Sequence, residues 1–182
     1  MLGGEKVVLV PLERGDLIMV ATWRNNPTIR HFFFNPLPIA LSGQDRWYDA
    51  YLSCGDSLIF IIIPQGQEKR VGMVSLDRID HHNQSAEYGR MLIADPVDQG
   101  KGYALDATLT LLRYAFMDLN LNRLYLKVFA DNSRAIHLYE HCGFQHEGIE
   151  REAIFLGGFF HNIVLMAILR NEFASRKTGA AI

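Results

Sequence analysis

Asp95-Pro96-Val97-Asp98-Gln99-Gly100-Lys101-Gly102-Tyr103-Ala104 is the stretch on which the reading of this chain turns. Upstream, Ala86 to Ile93 reads as a strand. Downstream, apolar residues at Leu105, Leu109, Leu111, Leu112, Ala115 and Phe116 recur at helical spacing, giving a helix from Leu105 to Met117. The stretch is therefore a strand-to-helix turn. Gly100 and Gly102 let the backbone approach a ligand closely and adopt angles closed to other residues. The helix that follows directs free amides and a positive dipole end at the turn. That combination suits a pyrophosphate. Lys101 either adds a positive charge to it or points to water. The pattern G-x-x-x-x-G-K-[ST] is missing. A dinucleotide fingerprint would need a third glycine and a parallel βαβ unit, and the upstream strands read as antiparallel. A lone glycine pair also fits a plain tight turn, so the context has to decide.

Working outward, Val7 to Leu12 reads as a first strand and Asp16 to Trp23 as a helix, interrupted at Asn25-Asn26-Pro27. Ser42, followed by Asp45, marks the N-terminus of another helix that carries Trp47, Tyr48 and Tyr51 to about Leu52. Leu58 to Ile63, Arg70 to Ile79 and Ala86 to Ile93 are strands joined by short polar turns, hence antiparallel. After the central turn and helix come a strand at Leu124 to Phe129, a helix at Ser133 to His141 ended by Gly143, and a hairpin from Glu152 to Leu169 around Gly157-Gly158. The expected fold is α/β, a mixed and mostly antiparallel sheet. Residues 1–170 make a single domain. The polar composition from Arg170 onward predicts a flexible tail over 171–182.

Bulk properties narrow the function. The chain has 182 residues, 49% of them hydrophobic and 21% charged, with a net charge of −2. Those values fit one globular domain. No basic stripe marks it as a nucleic-acid binder. The longest apolar runs are too short to span a membrane, and the N-terminus lacks signal-peptide features. Cys54 and Cys142 lack metal-ligand spacing, so neither a metal site nor a disulfide framework is expected. The expected compartment is the cytoplasm.

Gln99-Gly100-Lys101-Gly102-Tyr103-Ala104 resembles the Q/R-x-x-G-x-G/A signature of the GNAT acetyltransferases. The later stretch from Leu124 through Asn132-Ser133-Arg134-Ala135 and Leu138-Tyr139 to Gly143-Phe144 is similar to the family's second element, V-x-x-x-N-x-x-A-x-x-L-Y-x-x-x-G-F. Two linked motifs with matching intervening elements extend the resemblance from the Val7 strand to Leu169. It implies a sheet splayed at the cofactor site with helices on both faces. It also implies acetyl-CoA as cofactor, with the main-chain amides of Gln99, Gly100, Lys101, Gly102, Tyr103 and Ala104 around its pyrophosphate. The pantetheine arm would lie between Glu87 to Ile93 and Leu124 to Phe129. An amide near Leu92 or Ile93 would polarise the thioester carbonyl. Asn132 would hydrogen-bond the cofactor, with a helix cap as its other reading, and Arg134 would reach its phosphates or stay in solvent. Tyr139 would be the acid that protonates the leaving thiolate. Glu87 would relieve the acceptor amine of its proton, or else simply pair with a surface base.

The activity so implied is direct acetyl transfer to a primary amine on a protein N-terminus, an amino sugar or a small amine such as a polyamine. A non-catalytic acyl-CoA-binding regulatory module on the same fold is the alternative. The layout resembles the branch that contains ribosomal-protein alanine and spermidine N-acetyltransferases, which often form homo-oligomers. Two features sit apart from the spermidine pattern. Phe34-Asn35-Pro36 replaces the acidic residues those enzymes carry after the first helices, and Trp23-Arg24-Asn25 also occurs in relatives that acetylate nucleotide-linked amino sugars. The rings of Phe32 to Phe34 cannot all face one core from a single helix.

Overall fold

The run Leu58 to Ile63 is apolar at every position because its strand is covered on both faces. In the computed structural model, Phe60 and Ile62 point into one buried cluster and Ile59 and Ile61 into a second one across the sheet. That strand belongs to one eight-stranded sheet. Its members are β1 (Leu2–Gly3), β2 (Val7–Pro11), β3 (Leu58–Pro64), β4 (Gly72–Asp80), β5 (Ser85–Ile93), β6 (Arg123–Phe129), β7 (Gln145–Leu156) and β8 (Phe159–Leu169). The spatial order is β1-β2-β3-β4-β5-β6-β8-β7. Every neighbouring pair is antiparallel except β5 with β6. The structure describes residues 1–179, so 180–182, the end of the expected tail, lie outside it.

Helices α1 (Leu17–Asn25), α2 (Pro27–Arg30) and α3 (Leu41–Cys54) cover one face, where Leu17, Val20 and Tyr48 pack on Ile59, Ile61 and Met73. On the other face, α4 (Tyr103–Met117) and α5 (Ser133–Cys142) bring Leu111, Leu112, Phe116 and Tyr139 onto Phe60, Tyr88 and Leu124. Each fully buried side chain of this size contributes roughly 1.5–3 kcal/mol. The two layers therefore fix the sheet that carries the site.

Three expectations change at the element ends. Helix α3 starts at Leu41, so Ser42 is not its cap. Ala40 holds that position, and Asp45 instead receives a 2.7 Å hydrogen bond from Arg14. Strand β7 begins at Gln145, directly after the turn at Gly143, rather than at Glu152. The chain does not fray from Arg170. Arg170–Gly179 forms helix α6, and Phe173 is buried against Phe116 with ring centroids 5.4 Å apart. One apolar ring in a polar segment is enough to dock the helix that a composition count misses.

Two irregularities shape the sheet near the later site. The β4–β5 register shifts once between Met73 and Ser75 and again between Asp77 and Asp80. At these bulges Arg90 (φ 52°) and Arg78 (φ 53°) adopt left-handed backbone angles. Such angles are uncommon outside glycine and reorient a side chain at a bulge.

Candidate active site

The site begins at the turn between β5 and α4. Asp95 accepts a 3.0 Å hydrogen bond from the amide of Val97 and starts a 3-10 turn, Pro96–Asp98. Asp98 then folds inward, where Lys69 (2.5 Å) and Lys101 (2.9 Å) close on its carboxylate. Those hydrogen bonds, Lys69's first, hold the Asp98 carboxyl below the usual range. Gln99 donates through Nε2 to the Ile93 carbonyl (3.1 Å) and accepts through Oε1 from Arg134 (2.6 Å). Arg134 is thus drawn to the turn from the first part of α5. Gly100 (φ 76°) and Gly102 (φ 84°) occupy the left-handed region, which a Cβ would strain. Gly102 opens α4, and no side chain caps that end. The first-turn amides after Gly102, including Tyr103 and Ala104, have no acceptor within the helix. This uncapped end of a long helix fits the pyrophosphate of CoA.

The turn is buttressed from behind. Asp106, in the first turn of α4, accepts hydrogen bonds from the amides of Glu5 (3.1 Å), Lys6 (2.8 Å) and Val7 (2.9 Å). Lys6 also donates to the Lys101 carbonyl at 3.2 Å. Sequence reading missed Asp106, although an acidic residue in a helix's first turn is a recognisable signal.

Beside the turn the sheet parts. Strands β5 and β6 pair only at Ser85–Arg123, Ala86–Leu124 and Glu87–Tyr125, while both continue well beyond. The facing backbone edges of Tyr88 to Ile93 and Leu126 to Phe129 thus border a gap suited to an extended arm that carries amides. Backbone groups alternate between the two edges of a strand. The amide of Ala94 donates to Val71, on the β4 side, at 2.9 Å. Leu92 therefore also points to β4, paired with Met73, and Ile93 presents its amide to the gap.

Tyr139 stands on α5, on the face packed against the sheet. Its ring lies among Tyr88 (5.7 Å) and Phe144 (5.9 Å), and only 9% of the residue is exposed. Tyr88, its neighbour, pairs its hydroxyl with Thr108 at 2.8 Å. Burial pushes the Tyr139 phenol up from its ordinary range, with a smaller contribution from Cys142, so it stays protonated at neutral pH. Asn132 caps α5, its Oδ1 accepting from the Ala135 amide at 3.2 Å. This is the second of the two readings given for it.

On the other side of the sheet, Glu87 stands opposite Asp77. The two bulges let each carboxylate take an arginine from the opposite strand, Glu87 from Arg78 (2.9 Å) and Asp77 from Arg90 (3.2 Å). The Arg78 side chain is 72% exposed, so this partner can be exchanged for a substrate group. Ser75, fully buried, donates to Asp77 at 2.5 Å.

Next to Arg90 lies a cleft of about 220 Å³ between α1, α3 and the segment after α2. Arg24, Arg90, Trp47, Met73, Asn35 and Gln44 line it. The three residues Trp23-Arg24-Asn25 divide the work of building it. Trp23 packs on the core, and Asn25 makes two hydrogen bonds with Ile39 (2.8 and 2.9 Å) that hold the segment over the cleft. Arg24 lies inside, its guanidinium 4.5 Å from the Phe33 ring centre. The neighbouring rings separate as expected. Phe32 is exposed, and Phe34 meets Phe129 at the end of β6, 5.0 Å between centroids. Among the described residues no three His, Cys, Asp or Glu gather as metal ligands, and no helix is long and apolar enough to cross a membrane.

A sheet parted beside an uncapped glycine turn is the arrangement of an acyl-CoA-dependent transferase. Residues 6–145 match the family described as acetyltransferase (GNAT) domain, and the chain belongs to that family. It is 32% identical to spermidine N(1)-acetyltransferase of Vibrio cholerae over 171 residues, 94% of this chain and 97% of that one. The crystal structure of the Vibrio cholerae spermidine N-acetyltransferase with CoA and spermine superposes with a TM-score of 0.86 at 32% identity, covering 93% of this chain and 98% of the other. A dodecameric form of the same enzyme in an intermediate state gives 0.81 at 31% identity, covering 94% and 98%. The chain is thus an acetyl-CoA-dependent N-acetyltransferase acting on a primary amine, and the non-catalytic alternative is set aside.

Proposed function

We propose that residues 1–179 work as one domain that passes an acetyl group directly to a primary amine held between the Arg24 cleft and the β5–β6 gap. The observation that carries this reading is the parting of β5 from β6 beyond Glu87, next to the glycine turn that opens α4. Acetyl-CoA supplies the acetyl group as a reactive thioester. The amides from Gly100 to Ala104 bind its pyrophosphate, and Arg134, tied to Gln99, adds a positive charge at the same turn. The Ile93 amide donates to the carbonyl oxygen, where negative charge grows during attack. Tyr139 holds a proton on its hydroxyl and gives it to the departing sulfur. Glu87, released by Arg78, takes the proton of the ammonium form of the acceptor, directly or through water. Neither cysteine need form an acyl intermediate. Cys54 lies at the exposed end of α3 with its thiol pKa raised by its hydrogen bond to Asp56, unlike an activated nucleophile. Two cysteines without a disulfide also support a cytoplasmic setting.

Calorimetric titration with acetyl-CoA, followed by thiol-release assays over amine panels, tests the proposal. Micromolar binding and thiol release that depends on an added amine are expected. An acyl-enzyme trapped on Cys54 or Cys142 would overturn direct transfer.

A further inference from the structure

The acceptor cleft is cationic. Two arginines line it, and among the described residues that form its wall there is no aspartate or glutamate. Arg90 is compensated by Asp77. Arg24 has no ion pair among the described residues, and its Nε is buried without an acceptor. Burial, and after it the charge of Arg90, lowers the Arg24 guanidinium from its ordinary range. A buried donor without a partner, close to a like charge, is an unfavourable arrangement that an incoming anion would relieve. The planar guanidinium matches a carboxylate or a phosphate by two parallel hydrogen bonds. A polyammonium chain would instead meet like charge as it entered. At about 220 Å³ the cleft suits one terminal group and a few carbons rather than a long chain. Asn35 and Gln44 add neutral polar groups to its wall.

We propose that the acceptor is a small primary amine bearing a carboxylate or phosphate, which Arg24, assisted by Arg90, holds in this cleft. The proposal rests on the acetyl-transfer reading above and names its substrate class. It separates this chain from the polyamine enzymes it resembles.

Thiol release with the full-length protein and saturating acetyl-CoA tests the idea through paired acceptors. Amino acids and short peptides are compared with their C-terminal esters or amides. Phosphorylated and nucleotide-linked amino sugars are compared with the free amino sugars. Spermidine and spermine form a third arm. At least a tenfold advantage in kcat/KM is expected for the anionic member of one pair, carried mainly by KM, and the pair that shows it identifies carboxylate or phosphate. Arg24→Gln should remove that advantage while leaving acetyl-CoA affinity within about twofold. Arg24→Lys should keep part of it. If Arg24→Gln does not fold, the paired acceptors on the unaltered protein still decide. Equal rates within every pair, or best turnover with polyamines that is indifferent to Arg24→Gln, overturn the proposal while leaving acetyl transfer intact. Acetyl-CoA binding without thiol release from any amine would remove the underlying reading, and this one with it.

Discussion

At the phosphate-binding turn Lys69 and Lys101 both close on Asp98, whereas in the acceptor cleft Arg24 closes on no carboxylate among the described residues. Both regions are cationic, yet they are built differently. The lysines of the turn are committed to holding its shape, so on the proposed reading the attraction for pyrophosphate comes from backbone amides and the α4 dipole. The cleft presents a side-chain charge that no carboxylate among the described residues pairs with. An acceptor read by a side chain can change with one substitution, whereas a cofactor read by backbone cannot.

The sharpest challenge is at the residue both regions serve. Tyr139→Phe should lower kcat about a hundredfold or more, with acetyl-CoA affinity measured by calorimetry unchanged. Burial keeps the phenol protonated, so the unaltered enzyme should show no alkaline fall in rate below about pH 10, the ordinary tyrosine value. Loss of affinity together with rate would make Tyr139 a packing residue. Next, Gly102→Ala forces a Cβ into a left-handed angle, which costs about 1–2 kcal/mol. It should weaken acetyl-CoA about tenfold and leave the acceptor KM alone, the reverse of the Arg24→Gln profile.

Smaller effects sharpen the contrast further. Lys101→Met should change acetyl-CoA affinity by less than about threefold, because an exposed lysine already paired with Asp98 adds little. A tenfold loss would show that the turn uses its lysine as the cleft uses Arg24. Asp98→Asn should lower the calorimetric Tm by about 2–4 °C at pH 7, the effect of roughly 1 kcal/mol in a chain of this size. Because the folded carboxyl titrates below its unfolded value of about 3.9, its contribution is complete above that pH and disappears as pH falls through the folded value. The two proteins should therefore converge in Tm toward pH 2–3.

The turn was legible in sequence because all its parts are contiguous, strand, Gly100, Gly102 and helix in one run. The helix that carries Tyr139 was legible through a second contiguous pattern. The cleft was not, because α1, α3, the Asn35 to Ile39 segment, β4 and β5 each contribute to it. Its key orientation also depends on a bulge at Arg90, where no glycine announces the left-handed angle. Leu92 and Ile93 could be told apart only once the pairing register was known. The docking of α6 rests on the burial of Phe173, invisible to a reading by composition.

The three amides that Asp106 collects lie 99 to 101 positions away in sequence. On a ribosome adding about 5–20 residues per second, the opening hairpin waits roughly 5–20 s for its anchor. The cofactor turn is therefore closed by one of the longest-range contacts in the chain, and its completion belongs to the late, slow part of folding. A chain that stops before Asp106 lacks this anchor altogether. Cofactor binding thus reports that the two distant parts of the chain have met.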